Sequence, residues 1–230
     1  MPDSGLVCRQ VIFQHSGGPK VFDGLDVRFP GHSMTLVTGP TGIGKSTLLH
    51  LLGGLLKPTG GQILAAGKAV SRWRTDHKDR WRRQVGHLFQ HLHLINELTV
   101  LDNIVLPLVP LQTTWSKCLA RAAPVLERFD LSSLAHTPVH KLSGGQRQRT
   151  ALARAMVHQP RYLLLDEPSG FQDEINTQRL LEALAVTAAQ GACIVVCSHD
   201  SRLMSAKSFF HQIRRLDQDG LMSDIGTPSP

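Results

Sequence analysis

A short apolar segment that leads through a glycine-rich turn into a leucine-rich helical pattern restricts the fold of this chain most. The segment reads MTLVTGPTGIGKSTLLHLLGGL, and Gly39, Gly44, Lys45 and Ser46 within it fit the spacing G-x-x-x-x-G-K-[ST]. A strand followed by such a turn and a helix is the repeating unit of α/β folds. The segment therefore predicts a phosphate-binding loop between a strand and a helix.

The residue types in this loop suit phosphate oxygens. Glycine lets backbone amides approach a phosphate closely, and the following helix directs the positive end of its dipole to the same point. Lys45 supplies a positive charge for the β and γ phosphates, and the Ser46 hydroxyl is placed to bind Mg²⁺. The predicted nucleotide-binding residues of the loop are Gly39, Pro40, Thr41, Gly42, Ile43, Gly44, Lys45, Ser46 and Thr47.

Two acidic residues follow a second apolar run, YLLLDEP at residues 162–168. The run does not alternate, which is typical of a parallel strand buried on both faces, and catalytic groups in such sheets lie at the carboxyl ends of the strands. We therefore predict that Asp166 binds Mg²⁺ through water and that Glu167 polarises the water that attacks the γ phosphorus.

The stretch KLSGGQRQRTALARAM, residues 141–156, places two adjacent glycines directly before a helical pattern. Glycine is costly to order, so a helix that begins with two of them needs a reason for the missing side chains. The first amides of a helix have no intrahelical acceptors and bind phosphate well. The stretch predicts a second phosphate contact, which would serve a nucleotide held by another subunit because one nucleotide does not obviously need two such contacts from one chain.

With LSGGQ at residues 142–146, the chain resembles the ATP-binding cassette family, whose signature these letters are. The resemblance implies an α/β P-loop nucleoside triphosphatase with a mainly parallel core sheet, a small N-terminal antiparallel β subdomain and an α-helical lobe that carries the signature. Cassettes of this family pair head to tail around ATP. By resemblance, Ser143, Gly144 and Gly145 would contact the γ phosphate across the dimer, and Gln146 would lie near the ribose.

Several single residues also correspond to positions of the family's other motifs. Gln90, after the short predicted strand GHLFQ, corresponds to the glutamine loop that senses Mg²⁺ and the transmembrane partner. His199 in VVCSHD corresponds to the switch histidine that contacts the γ phosphate. In SGFQD, Asp173 fits the family pattern, whereas Phe171 and Gln172 depart from it.

The resemblance assigns stacking on the adenine base of ATP to an aromatic residue near the first predicted strand. Phe13 is the best positional match to the family's base-stacking residue, and Phe22 is the alternative. A phenylalanine ring offers a face for stacking but no polar group. A core position for Phe13 is an equally good interpretation of the same pattern.

Two segments between the motifs, 47–63 and 89–108, resemble the subgroup of lipoprotein-releasing ATPase subunits, macrolide-exporter ATPase domains and the cell-division cassette protein. The resemblance implies an ATPase with ATP and Mg²⁺ as cofactors, active as a pair, that drives transport or substrate extraction through a partner permease. The alternatives are a regulatory cassette that controls a division-type membrane protein and a nucleic-acid-linked cassette. We do not expect nucleic acid as a partner, because cassette proteins linked to nucleic acid usually carry two cassettes or long insertions, whereas this chain has one uninterrupted set of motifs.

Charge and hydropathy limit the location of the protein. A net charge of +7 at pH 7 suggests an anionic partner, such as a nucleotide, a nucleic acid or the inner face of a membrane. No apolar run approaches the roughly 18–20 residues that span a bilayer, and the N-terminus lacks the pattern of a signal peptide. We expect a peripheral protein on the cytoplasmic face of the inner membrane. Its scattered cysteines predict buried thiols rather than disulfides or a zinc site.

The chain reads as one ATP-binding domain over residues 1–222, with a helical lobe at about 91–158 and a flexible tail at 223–230. The basic segment 72–83 interleaves Arg and Trp, but its helical spacing predicts an amphipathic surface helix rather than a nucleic-acid site. Leu92, Leu94, Ile95 and Leu98 could form an apolar surface for a short permease helix, or could pack in the core.

Overall fold

The computed structural model describes residues 4–72, 75–111, 114–170, 173–218 and 220–226. The described strands form two sheets, and they are β1 (Leu6–Gln14), β2 (Lys20–Phe29), β3 (Ser33–Thr38), β4 (Gly60–Ala65), β5 (Lys68–Ala69), β6 (Val85–Leu88), β7 (Tyr162–Asp166), β8 (Cys193–Cys197), β9 (Gln212–Leu216) and β10 (Met222–Gly226). The described α-helices are α1 (Lys45–Leu52), α2 (Thr75–Arg82), α3 (Val100–Val105), α4 (Trp115–Arg128), α5 (Gly144–Met156), α6 (Glu174–Ala189) and α7 (Ser201–Ser205).

The first sheet is antiparallel and lies near the N-terminus. Its strand order is β2-β1-β4-β5, and each neighbouring pair runs antiparallel. Buried and exposed positions roughly alternate along β1 and β2, as expected for strands with one face on the core. The predicted antiparallel subdomain is confirmed.

The second sheet is mainly parallel and has the order β10-β9-β3-β8-β7-β6. The pairs from β9 to β6 are parallel, and only β10 runs antiparallel to its neighbour among the described strands. Every residue of β7 and β8 is buried, because layers of secondary structure cover both faces of the sheet at these strands. The predicted parallel core is confirmed.

Two apolar clusters hold the layers together. One cluster contains Leu48, Leu49, Leu51 and Leu52 of α1 together with residues of both sheets, so α1 lies between the antiparallel and the parallel sheet. The other cluster joins the opposite face of the parallel sheet to α3, α4, α5 and α6. Each fully buried leucine contributes about 1.5–3 kcal/mol of hydrophobic stabilisation. This packing fixes α1, and with it the loop before α1, against β3.

Residues 75–82 of the basic segment form α2, as predicted. Asp79 pairs with Arg82 at 3.8 Å, and Arg83 donates through Nε to the backbone carbonyl of Asp79. Trp81 is 2% exposed and packs on Tyr162 with ring centroids 4.7 Å apart. One side of this helix is therefore anchored in the core.

The tail prediction needs a correction. Residues 223–226 belong to β10, which pairs with β9 through Ser223 and Asp224, so an edge strand replaces part of the predicted flexible tail. Residues 227–230 lie outside the described residues. All four cysteines are buried thiols, as predicted. Within the described ranges, no helix has the length and apolarity to cross a membrane.

Candidate nucleotide-binding site

The predicted phosphate-binding and acidic motifs meet at one edge of the parallel sheet. Strands β3, β8 and β7 are adjacent and parallel, so their carboxyl ends lie side by side. Gly39 follows β3, Asp166 ends β7 and His199 follows β8. Ligands of open α/β sheets bind at this edge.

The glycines of the loop are required by its backbone. Gly39 has φ +151°, and a Cβ atom on it would lie 2.6 Å from the carbonyl oxygen of Leu216. Gly44 has φ +109°, and a Cβ atom there would lie 2.6 Å from Cγ1 of Val21. Any side chain at either position would collide with the neighbouring strand, so the loop can hold its open shape only with glycine.

Lys45 is folded over this loop. Its side chain is 7% exposed, and Nζ donates hydrogen bonds to the carbonyl oxygens of Gly39 at 2.7 Å and Pro40 at 2.8 Å. The tip of the loop, Thr41 and Gly42, is exposed. The ammonium group is thus held by two carbonyls directly beside backbone that is open to a ligand.

Ser46 and Asp166 are brought together. Burial raises the pKa of the Asp166 carboxyl, and this effect is opposed by a hydrogen bond with Ser46 and by the charge of Lys45. A hydroxyl and a carboxylate in contact beside a phosphate-binding loop offer the oxygen ligands that Mg²⁺ prefers. The residues present therefore fit the metal that the sequence predicts.

Both the backbone and the carboxylate of Glu167 are constrained in the structure. Its φ is +49°, a left-handed conformation that is rare for a residue with a side chain. Oε2 accepts a hydrogen bond from the Ser198 hydroxyl at 2.6 Å. Oε1 lies 2.6 Å from Nδ1 of His199 and accepts a bond from the His199 amide at 3.2 Å. The structure thus joins two residues that were predicted from separate motifs.

Gln148 is a positioning residue that the sequence reasoning missed. It lies on α5, is 3% exposed, and donates from Nε2 to the carbonyl oxygens of Glu167 and Pro168, both at 3.1 Å. The helix that begins with the signature is therefore fastened to the backbone that presents Glu167. A buried glutamine on a helix gives no sequence signal of its own, because its partner lies on a distant strand end.

The signature residues begin α5 on a separate surface. Ser143 caps the helix: its hydroxyl accepts from the Gln146 amide at 3.3 Å, and Gln146 Oε1 accepts from the Ser143 amide at 2.9 Å. This capping box explains the serine and the glutamine locally, whereas it uses neither glycine. Gly144 and Gly145 leave their first-turn amides uncovered by side chains.

A shallow cavity of about 450 Å³ lies at the signature, and its described lining includes Arg149, Asp173 and Asn176 but no residue of the phosphate-binding loop. Asp173 caps α6 through its side chain, which accepts from the amide of Asn176. Phe171 and Gln172 lie outside the described residues. Within this chain, the two predicted phosphate contacts are therefore on different surfaces.

Gln90 is not joined to the other predicted residues. It is exposed after β6 and makes no hydrogen bond within the described part of the chain. The neighbouring Phe89 stacks on His87, with ring centroids 4.1 Å apart and planes inclined by 8°. Burial lowers the pKa of His87 to about 3, with a smaller effect of His50, so this imidazole is neutral at physiological pH.

Phe13 and Phe22, the two residues considered for stacking on adenine, both lie in the core. Phe13 is 5% exposed, and Phe22 is fully buried and lies 3.3 Å from a Cβ placed on Gly44. The alternation of buried and exposed positions along β1 changes phase at a register shift between Cys8 and Val11, and this shift turns Phe13 into the core. His15, just after β1, is exposed and contacts Phe13 edge-on with ring centroids 4.8 Å apart.

The ABC transporter family model matches residues 22–170. The lipoprotein-releasing system ATP-binding protein LolD of Chromohalobacter salexigens is 33% identical over 224 residues, 95% of this chain and 93% of that protein. The cell division ATP-binding protein FtsE of Escherichia coli K12 is 33% identical over 193 residues, 84% of this chain and 87% of that protein.

Solved structures agree with these sequence relatives. The dimeric ABC transporter cassette MJ0796 has a TM-score of 0.87 and 27% identity, covering 96% of this chain and 99% of that chain. A dimer of the same cassette in a post-hydrolysis state, with ADP and Pi bound, has a TM-score of 0.86 with the same identity and coverage. The chain belongs to the ABC transporter family and is one of its ATP-binding cassettes, which hydrolyse ATP.

Proposed function

We propose that two copies of this chain, or this chain and a similar one, close head to tail around two ATP molecules and thereby drive a membrane permease. The position of the signature residues 142–146 gives this proposal its main support. Its cavity at the start of α5 contains none of the described phosphate-loop residues, so an ATP held by that loop needs the signature of a second cassette. The dimeric form of the similar cassette MJ0796 supports this arrangement.

Within each site, the loop from Gly39 to Thr47 would hold the phosphates through its amides, with Lys45 turning from the loop carbonyls to the β and γ phosphates. Ser46 and Asp166 would hold Mg²⁺, with Gln90 as the further ligand that the sequence predicts. The bound Mg²⁺ would supply positive charge to the β and γ phosphates. Ser143, Gly144 and Gly145 of the opposite cassette would contact the γ phosphate, with Gln146 near the ribose.

Glu167 would act as the base that polarises the attacking water. Ser198 and His199 already bind its two carboxylate oxygens, which orients the carboxylate at the edge of the sheet. His199 is 66% exposed in its side chain and can therefore turn toward a γ phosphate. In this proposal Ser198 and Gln148 position Glu167, while Glu167 and His199 contact the reacting groups.

His15 would stack on the adenine in place of the predicted phenylalanines. It is exposed, and the edge of the buried Phe13 supports its ring. An imidazole has a flat face for stacking and polar nitrogens for the solvent side. Burial lowers the pKa of His50 on α1 and His15 lowers it slightly further, so His15 lies near the helix that follows the phosphate loop, which supports this assignment.

A groove beside Gln90 is the proposed contact with the permease. It has a volume of about 590 Å³, its floor includes Phe89, Pro107 and Pro110, and its cationic lining includes Arg83 and Arg154. Arg154 donates to the carbonyls of Leu92 and His93, which fixes the chain just after Gln90. A short permease helix with apolar and acidic residues would suit this groove. Docking there would place the protein on the cytoplasmic face of the inner membrane.

The membrane partner defines the finer function. The similarity to LolD supports transport or lipoprotein extraction, and the similarity to FtsE supports the alternative of a regulatory cassette for a division-type membrane protein. Purification of the native complex from membranes, using a tagged Glu167→Gln variant with ATP, tests both. A co-purified permease with a large periplasmic domain would support extraction or transport. Recovery of a division-type protein would support the alternative, and recovery with neither would contradict the membrane role.

A further inference from the structure

A second cleft lies at the opposite edge of the parallel sheet from the nucleotide site. It has a volume of about 820 Å³, within the roughly 300–1,000 Å³ typical of small-molecule sites. Residues that precede β3, β7 and β8 line it, whereas the nucleotide residues follow these strands. The strands are about 17 Å long, so the two sites are separate. We name this space, which α4 covers on one side, the α4 cleft.

The α4 cleft combines an apolar floor with a cationic rim. Val125, Phe129 and Val157 contribute to its apolar lining. Its positively charged residues are Arg121, Arg128 and Arg161, and the weakly basic His32 lies with them. None of the described residues that line the cleft is Asp or Glu. The chemistry of the lining therefore favours an anion that also has an apolar body.

The arginines are not neutralised by ion pairs. Within the described residues, Arg121 and Arg161 form no ion pair, whereas Arg82, Arg202 and Arg214 elsewhere each pair with an aspartate. Arg161 lies over the ring of Tyr162, 5.8 Å from its centroid. Arg121 and Arg161 are both exposed residues, so their charges remain available to an anion.

Negative charges nearby reduce this positive potential but do not cancel it. The carboxyl ends of α4, α5 and α6 contribute lining residues, and each end carries about half a negative charge. Arg128 also lines an adjacent depression that contains Glu127 and Glu182. Arg121 and Arg161 therefore carry the charge on which the inference depends.

We propose that the α4 cleft binds a small organic anion, with an apolar body against Val125 and Phe129 and a carboxylate, sulfonate or phosphate against Arg121 and Arg161. Such a ligand would contact both α4 of the helical part and the loops that enter β7 and β8 of the core. It would bind independently of ATP, because the two sites share no lining residue.

The fluorescent probe anilinonaphthalene sulfonate tests this proposal, because it combines an apolar body with one sulfonate. Titrations are run with saturating MgADP, so that the probe cannot occupy the nucleotide site. The double variant Arg121→Ala/Arg161→Ala should bind the probe at least about tenfold more weakly than the parent protein. The matched control Arg9→Ala/Lys57→Ala removes the same charge from exposed positions outside the cleft, and should bind the probe as the parent does.

Two further measurements separate the cleft from general adhesion of the probe. Ala120→Trp should fill the cleft from an exposed position on α4 while every arginine is kept, and should abolish most of the binding. The neutral analogue phenylnaphthylamine should bind at least about tenfold more weakly than the sulfonate. Equal probe binding by the parent, Arg121→Ala/Arg161→Ala and Ala120→Trp would overturn the proposal. The proposal would also fail if Arg9→Ala/Lys57→Ala lost as much probe affinity as Arg121→Ala/Arg161→Ala.

Discussion

The hydroxyl of Ser198 donates a 2.6 Å hydrogen bond to Oε2 of Glu167 and accepts one from the amide of Asp200 at 3.1 Å. Ser198 is 1% exposed, so neither bond competes with bulk water. The serine therefore links the backbone after β8 to the carboxylate that we assign as the base, and it fixes that carboxylate before a nucleotide arrives.

Replacing Ser198 tests this positioning. Ser198→Ala should lower kcat about tenfold with little change in the KM for ATP, because one hydrogen bond to a charged group is lost while the phosphate loop is untouched. Ser198→Thr keeps the hydroxyl and should restore most of kcat. Steady-state ATPase assays at several ATP concentrations separate the two constants. Equal kcat in Ser198→Ala and the parent would show that this bond does not position Glu167 during turnover.

The bonds from Gln148 to the carbonyls of Glu167 and Pro168 should contribute to stability. Gln148→Leu removes both bonds from a buried position, and we expect a loss of about 1–3 kcal/mol. In a protein of this size that corresponds to about 2–4 °C in Tm for each kcal/mol. Gln178→Leu on the exposed side of α6 is the control and should change stability by less than about 0.5 kcal/mol. Similar losses in both variants would contradict the assignment.

The base-stacking role of His15 predicts a weaker nucleotide complex when the ring is removed. His15→Ala should raise the Kd for ATP about tenfold, since stacking of a base on an aromatic ring contributes about 1–3 kcal/mol. His15→Phe should retain the parent affinity. Calorimetry in a Glu167→Gln background measures Kd without turnover. Phe13→Leu should lower Tm and leave the Kd for ATP unchanged. A raised Kd in Phe13→Leu together with an unchanged Kd in His15→Ala would instead assign adenine stacking to Phe13.

The neutral imidazole of His87 should make the protein less stable in mild acid. The folded pKa of about 3 lies below the unfolded value near 6.5, so the unfolded chain binds the extra proton between these values. The contribution of His87 to the free energy of unfolding is therefore fully present above about pH 6.5, and it falls by about 1.4 kcal/mol for each pH unit below that value. His87→Phe keeps a ring against Phe89 and should reduce this slope. Urea denaturation at about pH 7.5 and pH 5.5 measures it, and an unchanged slope in the variant would contradict this origin.

The sequence predicted that the phosphate-loop and acidic motifs meet at one edge of the parallel sheet, because both motifs are local. Gly39 to Thr47 and the Asp166–Glu167 pair each need only a strand end and a few neighbouring residues, and parallel strands bring such ends together. Ser198 and Gln148 were missed because their role depends on contacts between segments far apart in the chain. Ser198 stands between the predicted strand and His199, so its place at a strand end was a usable signal.

Two other features of the structure come from backbone pairing, which side-chain patterns do not determine. The register shifts in β1 bury Phe13 and leave His15 exposed beyond the strand, which a strict alternation could not foresee. Residues 223–226 are exposed and include only one large apolar side chain, Ile225, yet they form β10 because an edge strand is held by main-chain hydrogen bonds to β9. Composition described the solvent exposure of this segment but not its pairing.

The most direct test of the shared nucleotide is the molar mass of the Glu167→Gln variant in solution. Light scattering after size-exclusion chromatography should give a monomer without nucleotide and a dimer with MgATP. Gly145→Glu in the same background should remain monomeric with MgATP, because a carboxylate would then oppose the γ phosphate. A parent enzyme whose ATPase rate per protomer stays constant on dilution, together with a Glu167→Gln variant that remains monomeric with saturating MgATP, would contradict the two-cassette site.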